Sequence, residues 1–402
     1  MELRRQTTAT KDVRLAARQA TLCVVDFKEH KMTPYISFRV TALGLVALLA
    51  VTGAARAQAD LDARARAIHQ RILVIDSHTD VLLPTTAENL YLPGHASRVD
   101  LDKLKRGGIG AVAMAIAVGS GPRTAEGVAA ARVEADAKLA AIRAFLKEHS
   151  AEAALALSAD DIVRIHKAGK VAVIESFLNT RSIGSDLSAI DGFFRDGVRL
   201  FGFSHAGNND FADSSRPSGE PAEEHHGLSA VGKQAVPKLN RLGVIIDVSQ
   251  LTPAGVLQVL ELSKAPVIAS HSNVRALIDN TRTLSDPELD AIKTNGGVVH
   301  VTPFNNYLRR NQAGAPASRA TVSDLVDHID YIVKRIGIDH VGIGTDFNHG
   351  SGIDGFNDES EAPNVTRELL RRGYSEAQIA KIWGGNFLRV FRRVGQVAKT
   401  LP

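Results

Sequence analysis

Eight short apolar runs, most of them rich in β-branched residues, recur between residues 72 and 344, and nothing else restricts the fold of this chain so much. They are Ile72–Ile75, Ala111–Val118, Val171–Ile174, Val198–Phe203, Val244–Val248, Pro266–Ala269, Gly297–Val301 and His340–Gly344. Such runs are too short and too branched for helices and suit buried strands. The stretches between them carry apolar residues at helical spacing. This predicts helices near 125–148, 159–168, 186–195, 229–241, 253–263, 286–294 and 322–337, with a helical tail over 363–372 and 376–397. About eight βα units with no linker or repeat dividing them predict one α/β domain, a (β/α)8 TIM-type barrel, over residues 58–402. That length exceeds the ~250 residues of a bare barrel. Inserted loops are therefore expected, and the Gly/Pro/Ser/Asp-rich segments 205–227, 304–321 and 347–362 follow strands, on the C-terminal face. A doubly wound open sheet would need a Gly-rich phosphate turn after its first strand, and Asp76-Ser77-His78-Thr79 is not one.

The first 57 residues are of another kind. Met32 to Arg39 is a weakly basic start, Val40 to Val51 an apolar core, and Ala55-Arg56-Ala57 a small-x-small site, which together predict a secretory signal peptide over 32–57. Residues 1–31 are then an upstream extension. The apolar core falls short of the roughly 20 residues of a membrane span, so no stable span is expected. Residues 1–57 hold nine Lys+Arg against four Asp+Glu, which leaves 39 basic and 40 acidic residues beyond them. Without its leader the chain carries no basic excess, and nothing in it points to nucleic acid or an anionic membrane. The single cysteine, Cys23, is also in the leader. An exported domain without disulfides fits a bacterial periplasm.

In a barrel the chemistry sits at the C-terminal strand ends. The first run leads to His78 and Asp80, two apart, so that in extended backbone both side chains point the same way. An imidazole beside a carboxylate suits a zinc-type ion, and equally a plain hydrogen-bonded pair. Other runs end at Glu175, Ser204-His205, Asp247-Val248-Ser249-Gln250, Ser270-His271-Ser272 and Thr345-Asp346. A carboxylate closing an apolar strand is costly to bury unless paired or metal-bound. Six of eight ends with His, Asp or Glu favour a metal hydrolase over generic strand-end polarity.

Asp76-Ser77-His78-Thr79-Asp80 resembles the opening motif of the renal (membrane) dipeptidase family, a branch of the amidohydrolase superfamily. Further similar stretches follow in family order: Asp100 to Gly108, Gly197-Val198-Arg199 leading to His205, Pro266 to Ser272, Asn305-Asn306-Tyr307, His340 to Phe347 and Gly385 to Val390. The resemblance implies two zinc ions at the barrel mouth, with His78 and Asp80 on the first, Glu175 bridging, and His271 on the second. At the family's remaining ligand, a histidine, this chain has Gln250. A Gln amide oxygen is a weaker donor than imidazole. Gln250 therefore either ligates a second, weaker site or only hydrogen-bonds beside a single metal.

The resemblance further implies attack by metal-bound hydroxide on a peptide carbonyl, with Asp346 relaying the proton and His205 steadying the oxyanion. Arg282, eleven residues after His271, would grip the substrate carboxylate with its two-pronged fork, assisted by Tyr307. The implied activity is a zinc dipeptidase acting on short peptides with a free C-terminal carboxylate, tolerant of a D-residue there, and homodimeric. Two alternatives stand beside it: a tailoring enzyme for a larger exported peptide, and a non-catalytic binding relative that Gln250 alone supports. His225-His226 lacks metalloprotease spacing and reads as a solvated loop, and Trp383 and Phe387 read as helix packing. His349, just past Asp346, could line the pocket but reads as an ordinary loop histidine.

Overall fold

The computed structural model describes residues 59–219, 221–309 and 319–402. The predicted leader and upstream extension lie outside them. The strands are β1 (Val74–Asp80), β2 (Ile109–Ala117), β3 (Ala153–Leu155), β4 (Val171–Leu178), β5 (Val198–Gly202), β6 (Ile245–Asp247), β7 (Ile268–Ala269), β8 (Asn273–Val274), β9 (Thr283–Leu284), β10 (Val298–Val301) and β11 (Val341–Ile343). Eight of them run parallel in the order β1-β2-β4-β5-β6-β7-β10-β11, while β8 and β9 form a separate pair. The circle closes just beyond β11, where Asp346 N donates to His78 O and Asp80 N to Phe347 O, both at 2.9 Å. The predicted (β/α)8 barrel is the observed architecture.

Helices follow the sequence pattern closely: Ala125–Glu148, Ala159–Lys167, Ala230–Leu242, Pro253–Leu262, Asp286–Asn295 and Val322–Ile336 all fall on the expected segments. Their starts are capped by side chains with an oxygen to offer, such as Thr124, Ser158, Ser229, Thr252 and Thr321. Three α-helices lack a counterpart in the sequence reading: residues 59–71, the single turn Asn305–Leu308, and Leu101–Arg106, whose cap Asp100 accepts from Lys103 N.

Ile75, Ala111, Ala113, Ala172, Ile174, Leu200, Ile245, Ile268 and Val298 share one cluster inside the barrel. Phe387, Phe391, Val394 and Val397 of the helix Asn386–Ala398 join it and plug the floor. Val74, Val112, Val173, Phe177 and Phe201 form the opposite face, against the helices. Among the described residues no helix is long and apolar enough to cross a membrane.

Candidate metal centre

The bend that makes the site lies within β1. Ile75 pairs with Ala111 and Asp80 with Ala115, both interior positions, although Asp80 lies five residues beyond Ile75 and Ala115 only four beyond Ala111. The register slips between Asp76 and Thr79, where one extra residue is accommodated. This bulge allows Ile75 to stay in the core while His78 and Asp80 also turn inward. Asp76 anchors the kink by accepting from Thr345 N at 2.7 Å, Thr345 Oγ1 at 2.8 Å and His78 N at 3.2 Å.

His78 Nε2 lies 3.6 Å from Asp80 Oδ1 and 3.9 Å from Asp346 Oδ1. Two donors sharing a tetrahedral ion at ~2.05 Å stand about 3.3 Å apart, so both pairs are close to that spacing. His78 and Asp80 are buried, yet neither ring nitrogen of His78 nor Asp80 Oδ1 has a hydrogen-bond partner. Buried polar atoms left bare are costly. A cation between them removes the cost, and the residues fit one.

His78, Asp247 and His271 form a second grouping. It is less open. Asp247 Oδ1 accepts from Ser249 N and Ser270 N, both at 2.9 Å, and Oδ2 accepts from Ser270 Oγ. With that hydroxyl hydrogen committed, His271 Nδ1 donates to Ser270 Oγ at 2.7 Å, which leaves the His271 Nε2 lone pair free for a ligand. Gln250 fills that place: its Nε2 stands 2.8 Å from His271 Nε2, and its Oε1 is buried and bare. The His271 ring stacks on His78 with centroids 4.0 Å apart.

Glu175 is not in this cluster. On β4 the side chains of Val173, Glu175 and Phe177 face the helices, while those of Ala172 and Ile174 face the barrel interior. The strand continues to Leu178, so Glu175 is an internal residue rather than an end. Its Oε2 points at Gly197, where a β-carbon would come within 2.6 Å, and that glycine has φ +122°. The charges acting on it are Arg143, Asp196 and Arg199. The expected bridging ligand thus gives way to a buried carboxyl on the outer face.

The structure gives a role to a residue that the sequence reading set aside as an ordinary loop histidine. His349 Nδ1 donates to Asp80 Oδ2 at 2.8 Å, and His349 Nε2 is 3.2 Å from His205 Nε2. Burial alone would depress His349, but the Asp80 charge and hydrogen bond, with Asp346, push it up to about 9. Burial and the neighbouring His349 charge hold His205 well below its usual range. A doubly protonated His349 donates to His205 Nε2, so His205 carries its own hydrogen on Nδ1. That buried atom has no partner among the described residues. At Asp80 burial raises the carboxyl, but the His349 charge and hydrogen bond, the adjacent His78 ring and the Lys138 charge outweigh it and hold it well below its ordinary value. Asp346 moves the other way, raised by burial with Asp80 adding to it.

Arg282 lies across the mouth, 4% exposed. Its Nη2 donates to His271 O at 3.3 Å, its guanidinium stands 5.5 Å from the Tyr307 ring centre, and Nε is bare. Gln250 and Asp346 both take positive φ, +71° and +53°. Non-glycine residues pay for that conformation, and such outliers gather at working sites.

The family model described as "Membrane dipeptidase (Peptidase family M19)" matches residues 62–402. The chain belongs to this family. Among curated relatives, "Dipeptidase tcpJ" of Claviceps purpurea is 38% identical over 61% of this chain and 56% of its own length. "Dipeptidase 3" of Macaca fascicularis is 33% identical over 84% of this chain and 68% of its own. The chain thus spans about half the length of the first of these. Among solved structures, the "probable dipeptidase PvdM" from Pseudomonas aeruginosa has 38% identity and a TM-score of 0.77 over 84% of this chain and 99% of its own. A metallo peptidase from Rhodobacter sphaeroides, liganded with a phosphinate mimic of the dipeptide L-Ala-D-Ala, has 27% identity and a TM-score of 0.71 over 80% and 99%. An M19 dipeptidase fold accounts for the metal-ligand types at the mouth.

Proposed function

We propose that this protein is a zinc-dependent dipeptidase that hydrolyses short peptides with a free C-terminal carboxylate. The observation that carries this is the pair of bare donors His78 Nε2 and Asp80 Oδ1, with the Asp346 carboxylate grouped beside them. It lies in the mouth that the buried guanidinium of Arg282 also faces. His78, Asp80 and Asp346 would hold one ion. The second position would be the weaker, since Gln250 occupies the free nitrogen of His271 and Asp247 is already engaged by Ser249 and Ser270. A bound zinc-type ion supplies Lewis acidity and a lowered pKa for water.

The chain's own groups do the rest. Arg282 takes the substrate carboxylate, held ready by His271 O and the Tyr307 face. His205 Nδ1–H donates to the substrate carbonyl oxygen as charge develops there. Asp346, buried beside His78 at the mouth, would accept a proton from the attacking water and pass it to the leaving amine. Tolerance of a C-terminal D-residue is proposed from the ligand of the Rhodobacter relative. Export to a periplasm and a homodimeric state are proposed on the leader-like pattern of residues 32–57 and on the family resemblance respectively.

One observation favours a second reading, a tailoring reaction on a larger exported peptide: Glu175 and Gln250 both depart from a two-metal ligand set. Metal content per chain, with hydrolysis of L-Ala-D-Ala and L-Ala-L-Ala before and after chelation, separates the two. Cleavage that chelator abolishes and zinc restores is expected. A metal-loaded protein that leaves both dipeptides intact moves the tailoring reading to the front.

A further inference from the structure

A recess of about 210 Å³ opens beside the metal cluster, between the ends of β1 and β2. Asp80, Ala117, Glu134, Lys138, His205 and His349 line it, so it shares three residues with the site just described. It is smaller than the roughly 300–1,000 Å³ that a drug-sized ligand needs, which suits a single side chain.

Lys138 is the unusual member. It lies on the buried face of the helix Ala125–Glu148 together with Ala131, Ala135, Leu139 and Ile142, and is only 8% exposed. Lysine is almost never buried to that extent unless well paired. A leucine or methionine would cover the same surface without desolvating a charge. Yet among the described residues the Lys138 ammonium makes no hydrogen bond. Its one ion pair, to Glu134 Oε1, spans 3.9 Å, beyond hydrogen-bond reach, and the Glu134 side chain is 40% exposed. Asp80 on the same recess also acts on it through its charge, but that carboxylate is engaged by His349 and faces the ion position, so the ammonium keeps room for a further anion.

Position says which anion. Arg282 is held by the residue after β7 and by Tyr307 beyond β10, whereas the recess lies at β1 and β2. In the strand order of the barrel these are facing sides of the mouth. A dipeptide with its carboxylate on Arg282 crosses the cluster and brings its N-terminal residue to the recess. The exposed Glu134 suits the substrate's ammonium, and the deeper Lys138 remains for the side chain. We propose that this recess receives the N-terminal side chain of the substrate and selects an acidic one, with the Lys138 ammonium as its counter-charge. The substrate class is then dipeptides that begin with Glu or Asp. This rests on the dipeptidase reading above.

The test compares kcat/KM for L-Glu-L-Ala with its uncharged isostere L-Gln-L-Ala on the zinc-loaded full chain. Taking the ratio within each protein cancels differences in folding and metal loading. A Glu-over-Gln preference of tenfold or more is expected for the wild type, falling to near one in Lys138→Gln and largely kept in Lys138→Arg. A wild-type ratio near or below one, or a ratio that Lys138→Gln leaves unchanged, overturns the proposal. If no dipeptide is cleaved, L-Ala-L-Ala included, the dipeptidase reading fails by itself. Calorimetric binding of the same two peptides then decides the pocket. Tighter L-Glu-L-Ala, lost in Lys138→Gln, upholds it; equal affinities or no binding overturns it.

Discussion

A carboxyl that is 1% exposed and aimed at the backbone of Gly197 has a thermodynamic signature. Burial, reinforced by Asp196 and opposed by Arg143 and Arg199, pushes Glu175 from 4.5 up to about 7. Between those values the unfolded chain has released the proton that the folded chain keeps. Stability therefore falls as pH rises from about 4.5 to about 7, by on the order of 3 kcal/mol, and is flat above. Glu175→Gln should erase that slope in denaturant titrations across this range. The same variant should keep its metal, and a loss of metal on this change would return Glu175 to the cluster. His349 behaves oppositely: by orienting Asp80 and donating to His205 it supports the ion without touching it. Replacing such an outer partner typically costs about 10–100-fold in metal affinity. His349→Gln is expected to fall in that range in a competition titration against a chromogenic chelator.

At the scale of elements, what could be read from the chain follows from where physics is local. The helices were legible because periodicity and capping side chains lie within the segment itself. The ends at His78, Asp80, His271 and Asp346 were legible because polar residues abruptly follow apolar ones. Glu175 misled because Ser176-Phe177-Leu178 still belong to β4, so the carboxylate interrupts a strand instead of closing it. Counting by twos from Val173 to Phe177 puts Glu175 on the helix-facing side, and that was the available signal. The β1 bulge leaves no such trace, since it is a property of pairing with β2. The role of His349 was not legible because its partner Asp80 is 269 residues away and only barrel closure joins them. The floor helix offers a test of its own. Phe387 is 2% exposed inside the barrel cluster and meets the edge of His300 at 5.9 Å. Phe387→Ala should cost about 3–5 kcal/mol in urea unfolding. KM for a dipeptide should stay unchanged, because the floor is remote from Arg282.

For the whole molecule, ion binding and folding are one equilibrium. The bare atoms of His78 and Asp80 penalise the metal-free fold, and an ion that binds only the folded chain stabilises it by about 2.7 kcal/mol at a hundredfold excess over Kd. Thermal unfolding should shift upward by several degrees on zinc addition and return on chelation. A Tm indifferent to both would mean that the cluster holds no ion. The plugged floor has one more consequence. With Phe387, Phe391 and Val394 filling the lower barrel, the described residues leave the upper face as the doorway both in and out. The two amino acids freed by cleavage must depart by the route their parent took, and the one whose carboxylate rests on Arg282 sits where the next substrate must dock. Traffic through a single door makes the C-terminal product a natural competitor of its own precursor.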